Sequence, residues 1–242
     1  ADRFFQLPLG VFGIAIATAS LPALADAHLE GGASALAHTL RRSLELNAFI
    51  AIPSTAGLFV LALPICSTVL QHGAFSHAQA VAAADVLRVL AFGLLPVASI
   101  RVVSQGFFSI QDTRTPVACS AIGVGANLAL APMLAPEYGA AGLAMSLTAS
   151  AWIQLLVQLI LLRRRLAVPL GVPALSGRVA RASAVAALMA ASAWTVSLLG
   201  TWSEGLELGN FAVLALAVAI GVAVYAAFQL LIRTPEATLL AS

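Results

Sequence analysis

Two charged residues stand at the mouth of a long apolar segment at the start of the chain. Asp2 and Arg3 precede a stretch that runs to residue 25 and is long enough to cross a bilayer. A charge in hydrocarbon costs about 2.5–3.5 kcal/mol even on lenient insertion scales, so both side chains are predicted to face protein or a water-filled cavity. The alternative is that Arg3 anchors the segment at the membrane surface. Helical periodicity predicts one shared face, polar at its outer end and small further in, made of Arg3, Gln6, Gly10, Gly13 and Ala17.

A second arginine lies deep inside another apolar segment. Arg101 is about nine residues from the nearer end of its segment, roughly 13 Å at 1.5 Å per residue, which is too deep for an easy reach to the surface. Gln105 follows one turn later on the same face. We predict that Arg101 and Gln105 contact an anion in a cavity. The alternatives are a structural ion pair and a long reach to the headgroups.

Other polar residues inside the segments are expected to hold helices together. Asn127 could coordinate a cation, but a hydrogen bond to a neighbouring helix is the favoured interpretation. Arg88 lies three residues from Asp85, so a local ion pair is expected there. A row of residues at steps of four is typical of helix packing and consists of Gly142, Ser146, Ser150, Gln154 and Gln158.

The composition requires a membrane around these residues. Hydrophobic residues make up 61% of the chain and charged residues 9%, whereas a globular domain is about half apolar and a quarter charged. No strand-like alternation of the barrel kind is visible in the sequence. We therefore predict an all-α integral membrane protein with seven transmembrane helices. Their expected bounds are about 4–25, 44–70, 84–109, 116–135, 139–162, 179–200 and 209–232.

Arginines occur only in alternate links between these segments; the opposite links carry none, and two of them carry glutamate. Basic links lie on the cytoplasmic side of a membrane protein. Residue 1 is therefore predicted on the periplasmic side and residue 242 in the cytoplasm. The arginines of the basic links are Arg41, Arg42, Arg114, Arg163, Arg164, Arg165 and Arg178.

Several classes of function are disfavoured by the residues present. The histidines have no partner at triad or metal-ligand spacing, and there is no glycine-rich phosphate loop. We therefore expect no catalytic residue, no metal and no cofactor. The arginines are spread over several links, which argues against a nucleic-acid partner. Cys66 and Cys119 are expected to be small buried side chains. Because the chain opens without Met or a basic leader, we expect a fragment of a longer protein.

Four stretches resemble one family of bacterial membrane transporters. They are ADRFFQLPLGVFGIAIATASLPALA at the start, LQHGAFS after the second segment, FFSIQDTRTPV from Phe107 to Val117, and NLALAPMLAPEYGAAGLAMSLTASAWIQLLVQLILLRRR from Asn127 to Arg165. In this order they resemble the C-terminal half of the MurJ (MviN) lipid II flippases, a family of the multidrug/oligosaccharidyl-lipid/polysaccharide exporter superfamily. The resemblance implies that the seven segments form one lobe, helices 8–14 of a fourteen-helix fold.

The resemblance also implies a function and a set of partners. A member of this family would move lipid II, the undecaprenyl-pyrophosphate-linked disaccharide-pentapeptide, from the inner to the outer leaflet of the bacterial inner membrane by alternating access. Its partners would be lipid II, membrane lipids and the missing N-terminal lobe. It would be a transporter and not an enzyme.

The same resemblance assigns roles to individual residues. Arg3 matches a cavity arginine, Asp2 matches its acidic neighbour near the outer gate, and Arg101 matches a basic position in the tenth helix. The last two segments match the pair that forms a groove for the lipid tail. A sodium site of some members uses an asparagine that matches Asn127, but the carboxylate one turn on is Ala131 here.

Two other functions fit parts of the sequence. A related exporter could move another lipid-linked oligosaccharide or a drug, although a cationic drug calls for acidic cavity residues and Arg101 is basic. The second alternative is a membrane scaffold that binds peptidoglycan enzymes and transports nothing. Such a scaffold has no need for buried arginines or for prolines inside helices, which argues against it.

Overall fold

The computed structural model describes residues 2–73, 75–168, 172–203 and 207–231, with the side chains of residues 2, 11–12, 172–176 and 230 excepted. Nearly all of this part is helical, and it contains no strand. The elements in chain order are α1 (Asp2–Pro8), a π-helical turn (Leu9–Gly13), α2 (Ile14–Val60), α3 (Ala62–Leu70), α4 (His77–Ala91), α5 (Leu94–Ser109), α6 (Arg114–Leu166), α7 (Val172–Ser197) and α8 (Leu208–Leu231).

Two of the helices are about twice as long as a membrane crossing and fold back on themselves. α2 reverses at Gly32 (φ +65°) and α6 reverses at Gly139 (φ +58°), a backbone conformation that side chains disfavour. Ser20 and Ser43, on the two arms of α2, are hydrogen-bonded at 3.1 Å, which shows that the arms lie side by side. The described residues thus form seven spans, numbered in order: 2–31, 33–70, 77–109, 114–138, 140–166, 172–197 and 208–231.

The prediction of an all-α membrane protein with seven helices is confirmed. Within the described residues, five continuous helical stretches are long and apolar enough to cross a membrane, and the two folded helices are among them. The boundaries differ most from the prediction in three places. Span 3 begins at His77 and not near residue 84, because Ser76 caps the helix in a capping box with Gln79. The link expected between the first two segments is helical on both sides of Gly32. Span 6 begins at Val172, because Pro173 lies in the first turn, where no intrahelical N–H bond is required.

The third span is interrupted in its middle, between α4 and α5. The Gly93 N–H bonds the Leu90 carbonyl instead of continuing the α-helical pattern, and carbonyls in the last turn of α4 lose their usual donors. Thr148 of span 5 donates to the Val89 carbonyl at 3.2 Å, and Thr55 of span 2 donates to the Ala91 carbonyl at 3.0 Å. Neighbouring hydroxyls therefore satisfy backbone carbonyls that the break leaves without helical donors.

Span 3 lies at the centre of the bundle and packs against spans 1, 2 and 5. Spans 6 and 7 pack on each other and on span 2. Fully buried side chains fill the space where spans 1, 2, 3 and 5 meet. They are Leu24, Leu36, Leu40, Val102, Val103, Phe107 and Leu162.

Polar side chains inside the spans bond to one another across helices. Ser146, Gln154 and Gln158 each bond to a neighbouring span, so the row at steps of four is confirmed as a packing face. Besides the bond between Ser20 and Ser43, bonds of this kind join Asn47 to Ser99 at 2.9 Å, Asn127 to Ser146 at 2.8 Å, Gln154 to Ser120 at 3.2 Å and Gln158 to Ser104 at 3.3 Å.

A carboxylate organises the start of span 4. Asp112 accepts hydrogen bonds from the Thr115 hydroxyl at 2.6 Å and from the Thr115 N–H at 3.0 Å. Arg165, at the end of span 5, lies 3.6 Å from the same carboxylate. The Thr115 hydrogen bonds, helped by the Arg165 charge, lower the pKa of Asp112 below its ordinary value.

We expect the stabilisation by Asp112 to depend on pH. Because the pKa is lowered by folding, this stabilisation is complete above the unfolded value of about 3.9 and is lost as the pH falls through the lowered folded value. Asp112→Asn in the full-length protein should therefore lower the melting temperature at pH 7. The difference from the parent should shrink as the pH is taken below about 4. A difference that is the same at all pH values would contradict this assignment.

The reversal at Gly139 makes a second prediction. Gly139→Ala should lower the stability of the full-length protein in detergent by about 1–3 kcal/mol, because an L side chain is strained at this φ and ψ. Gly125→Ala is the matched control in the same hairpin, since it lies in regular helix with nothing within 4 Å of the added Cβ. The control should be neutral or slightly stabilising. Equal melting temperatures for the two variants would refute the prediction.

Candidate functional site

A groove of about 670 Å³ opens between spans 1, 2, 6 and 7. Its wall is almost entirely apolar, so it suits a hydrocarbon chain and not a polar head. Spans 6 and 7, which correspond to the last two predicted segments, thus flank an apolar groove as expected from the sequence. The residues that line it include Pro8, Phe49, Pro53, Gly57, Met189, Ala193, Ala217, Gly221, Val222 and Tyr225.

Small residues keep the groove open, and an aromatic pair closes one part of it. Gly57, Ala193 and Gly221 line facing walls and carry little or no side chain. The Tyr225 hydroxyl donates to the Phe49 carbonyl at 2.7 Å, and the two rings lie 5.5 Å apart. This contact fixes span 7 against span 2 and so sets the width of the groove.

An ion cluster lies one turn from the groove on span 2. The side chain of Glu45 is only 5% exposed and is 2.7 Å from the Arg178 guanidinium of span 6 and 3.6 Å from Arg41. It holds span 6 to span 2 beside Phe49. Neither ion pair of Glu45 was expected from the sequence. The four-residue spacing of Arg41 and Glu45 was a signal for their pair. No such spacing indicates the pair with Arg178.

Arg101 lies on span 3 between the face that meets span 1 at Ala98 and the face that meets span 5 at Ser104, and Gln105 follows one turn later. Ala98, three residues before Arg101, is in contact with Gly13 of span 1, where an added Cβ would be 3.5 Å away. Arg101 is half-buried and forms no hydrogen bond or ion pair with the described part of the chain. The Gln105 Oε1 atom is buried without a hydrogen-bond partner. A structural ion pair therefore does not account for Arg101 within these residues.

Arg3 is exposed on α1, and the side chain of Asp2 lies outside the described residues. Arg3 has no hydrogen bond or ion pair with any side chain that the structure describes. The expectation of one continuous face from Arg3 to Ala17 is wrong. Gly10 is exposed, whereas Gly13 and Ala17 are buried, because the π-helical turn at Leu9–Gly13 changes the helical register between them.

Arg3 and Arg101 lie on neighbouring spans but far apart along them. Spans 1 and 3 run in the same direction and touch where Gly13 meets Ala98. Arg3 lies about 15 Å from this contact towards the start of span 1, and Arg101 lies about 4 Å from it towards the end of span 3, at about 1.5 Å per residue. They are therefore separated by about 20 Å along the helix axes.

Three of the smaller expectations can be compared directly with the structure. The Arg88–Asp85 pair is confirmed, with 2.7 Å between Nη1 and Oδ1. Asn127 accepts a hydrogen bond from the Ser146 hydroxyl, so the favoured cross-helix bond is confirmed as well. Cys66 and Cys119 are free and buried, as expected. No cluster of three or more His, Cys, Asp or Glu able to hold a metal ion occurs in the described ranges.

Comparison with known proteins identifies the family. The family model described as lipid II flippase MurJ matches residues 1–213. A probable lipid II flippase MurJ of Vibrio cholerae is 35% identical over 238 residues, which are 96% of this chain and 44% of that protein. A lipid II flippase MurJ of Burkholderia cenocepacia is 31% identical over 166 residues, which are 68% of this chain and 32% of that protein.

A solved structure has the same fold. It is a lipid II flippase MurJ in an inward closed conformation, with a TM-score of 0.76 and 19% identity, and the match covers 96% of this chain and 46% of the solved one. The chain thus spans less than half the length of these relatives. Because the family model covers most of its residues, the chain belongs to the MurJ family of lipid II flippases.

Proposed function

We propose that this chain is the C-terminal lobe of a flippase that moves lipid II across the bacterial inner membrane by alternating access. It would act together with an N-terminal lobe and would line the route with Arg3, Asp2, Arg101 and Gln105. The observation that carries the proposal is the position of α1. This helix contributes Pro8 to the apolar groove and carries Arg3 five residues earlier.

A cargo that fits both features must have two chemically different parts. A long apolar groove suits a polyprenyl chain, and guanidinium groups suit a pyrophosphate. The head could then pass through water between the lobes while the tail stays among apolar side chains, which avoids placing a charged group in hydrocarbon. Lipid II is an amphiphile of this kind.

The separation of the two arginines supports a stepwise passage. With about 20 Å between them along the helix axes, Arg3 and Arg101 would contact the phosphates at different depths of the membrane. One would act near the outer surface and the other towards the inner surface. The unpartnered Gln105 oxygen beside Arg101 could accept a hydrogen bond from a sugar hydroxyl or an amide.

The contacts between links support the proposed orientation. Arg165 at the end of span 5 pairs with Asp112 between spans 3 and 4, so two predicted cytoplasmic links lie at one end of the bundle. Arg178 of the next basic link pairs with Glu45 and thereby with the start of span 2. The proposal puts this end in the cytoplasm. Residues 1 and 242, whose sides were predicted, lie outside the described residues.

The arginine route can be tested by rescue of cells depleted of their own lipid II flippase. In the full-length protein, Arg3→Ala and Arg101→Ala should each abolish rescue at normal protein levels, because an anionic head would lose its counter-charge. Arg88→Ala is the matched control, since Arg88 forms a local pair with Asp85. The control should rescue like the parent. Full rescue by either test variant would remove that arginine from the mechanism.

The groove makes a separate prediction. Val222→Trp should fill it and prevent rescue at normal protein levels, because the tail would lose its site. Val222 is 61% exposed on the wall of the groove, so the larger ring does not have to enter the packed core. Val124→Trp is the control, since Val124 is 60% exposed on span 4, away from the groove. Equal rescue by the two tryptophan variants would exclude a role for the groove.

A further inference from the structure

One face of span 5 is exposed and apolar, and it ends in two arginines. The opposite face is buried against spans 3 and 4 and includes Leu155, Gln158 and Leu162. The exposed face advances by three and four residues along the helix, so its members lie above one another. In order they are Trp152, Ile153, Leu156, Ile160, Arg163 and Arg164.

The arginine end of this face is shaped as a pocket. A cavity of about 530 Å³ is lined by Ile160, Arg163, Arg164, Ala167 and Val168. Ala167 has φ +53° and its N–H bonds the Arg163 carbonyl, so the chain turns sharply away from the helix at this point. The turn places Val168 beside the two arginines and encloses the pocket on the side where the helix ends.

The two arginines of this pocket have no ionic partner within the described part of the chain. Neither Arg163 nor Arg164 forms an ion pair or hydrogen bond with a residue that the structure describes. Their neighbour Arg165 is different, because it faces Asp112 at 3.6 Å. The pocket is thus positively charged, and its inner end continues into the apolar stripe.

We propose that this face is a binding site for an anionic phospholipid of the membrane. The lipid phosphate would contact Arg163 and Arg164, and one acyl chain would lie along Ile160 and Leu156. Trp152 is about 16 Å from Arg163 along the helix, which is about half the thickness of the hydrocarbon core. An acyl chain whose phosphate is bound at the arginines therefore reaches this ring.

The site is separate from the proposed route of lipid II. The groove lies among spans 1, 2, 6 and 7, and Arg101 lies on span 3, whereas this stripe lies on the face of span 5 opposite to its contacts with spans 3 and 4. Charge complementarity favours an anionic lipid over a zwitterionic one, since a basic residue near the surface attracts anionic headgroups by about 1 kcal/mol, or about fivefold. The proposal is therefore independent of which cargo the protein moves.

Tryptophan quenching tests the site in the full-length protein reconstituted into vesicles. All tryptophans except Trp152 are changed to Phe. The vesicles are made of phosphatidylcholine, to which increasing amounts of a lipid with brominated acyl chains are added. The brominated lipid is phosphatidylglycerol in one series and phosphatidylcholine in the other. Brominated phosphatidylglycerol should quench Trp152 at several-fold lower mole fraction than brominated phosphatidylcholine. Arg163→Gln with Arg164→Gln should abolish this preference, and Arg165→Gln should retain it.

Three results would overturn the proposal. The two brominated lipids could quench equally in the parent, or the preference could survive in the double variant. If neither lipid quenches Trp152, the face is covered by another part of the protein and is not a lipid site. Inorganic phosphate added to the vesicles should leave the preference intact, and its loss would mean that the pocket binds free phosphate instead of a lipid.

Discussion

A polar side chain inside a membrane has to find a partner, and this constraint shapes the whole bundle. Neighbouring spans supply partners through Asn47 with Ser99, Asn127 with Ser146, and Gln158 with Ser104. The same requirement extends to the backbone, since two threonine hydroxyls satisfy the carbonyls at the break in span 3. Each bond also joins two spans, so satisfying the polar groups and assembling the lobe are one process.

Some polar groups in the bundle have no such partner. Arg101 and the Gln105 oxygen have none among the described residues, and Arg3 is exposed on the helix that borders the apolar groove. A charged group is stable inside a membrane only where water or an ionic ligand reaches it. The proposed flippase function supplies both, because a wet route carries an anionic head. The paired residues thus hold the lobe together, and under the proposed function Arg3, Arg101 and Gln105 are the ones that contact the cargo.

Much of the fold could be predicted from the sequence, because hydrophobic length and arginine placement respond directly to the bilayer. The reversal at Gly139 lies at the predicted break between the segments 116–135 and 139–162. The reversal at Gly32 falls within the predicted link between residues 25 and 44, but its position there could not be read from the sequence, because a glycine alone does not indicate a positive φ. The site was predicted in part. Single charges such as Arg101 are visible in apolar sequence, but the pairing of Glu45 with Arg178 joins residues 133 positions apart. The π-helical turn changed the face of span 1 in a way that regular periodicity cannot anticipate.

The central claim is that water reaches Arg101, and thiol labelling measures this directly. In the full-length protein, Cys66 and Cys119 are replaced by Ala, and one cysteine is then introduced by Arg101→Cys or, as a control on the apolar groove wall, by Val218→Cys. The thiolate that reacts with a charged, water-soluble reagent forms only where water has access. We expect rapid modification at position 101 and little at position 218. An unreactive cysteine at position 101 would contradict it.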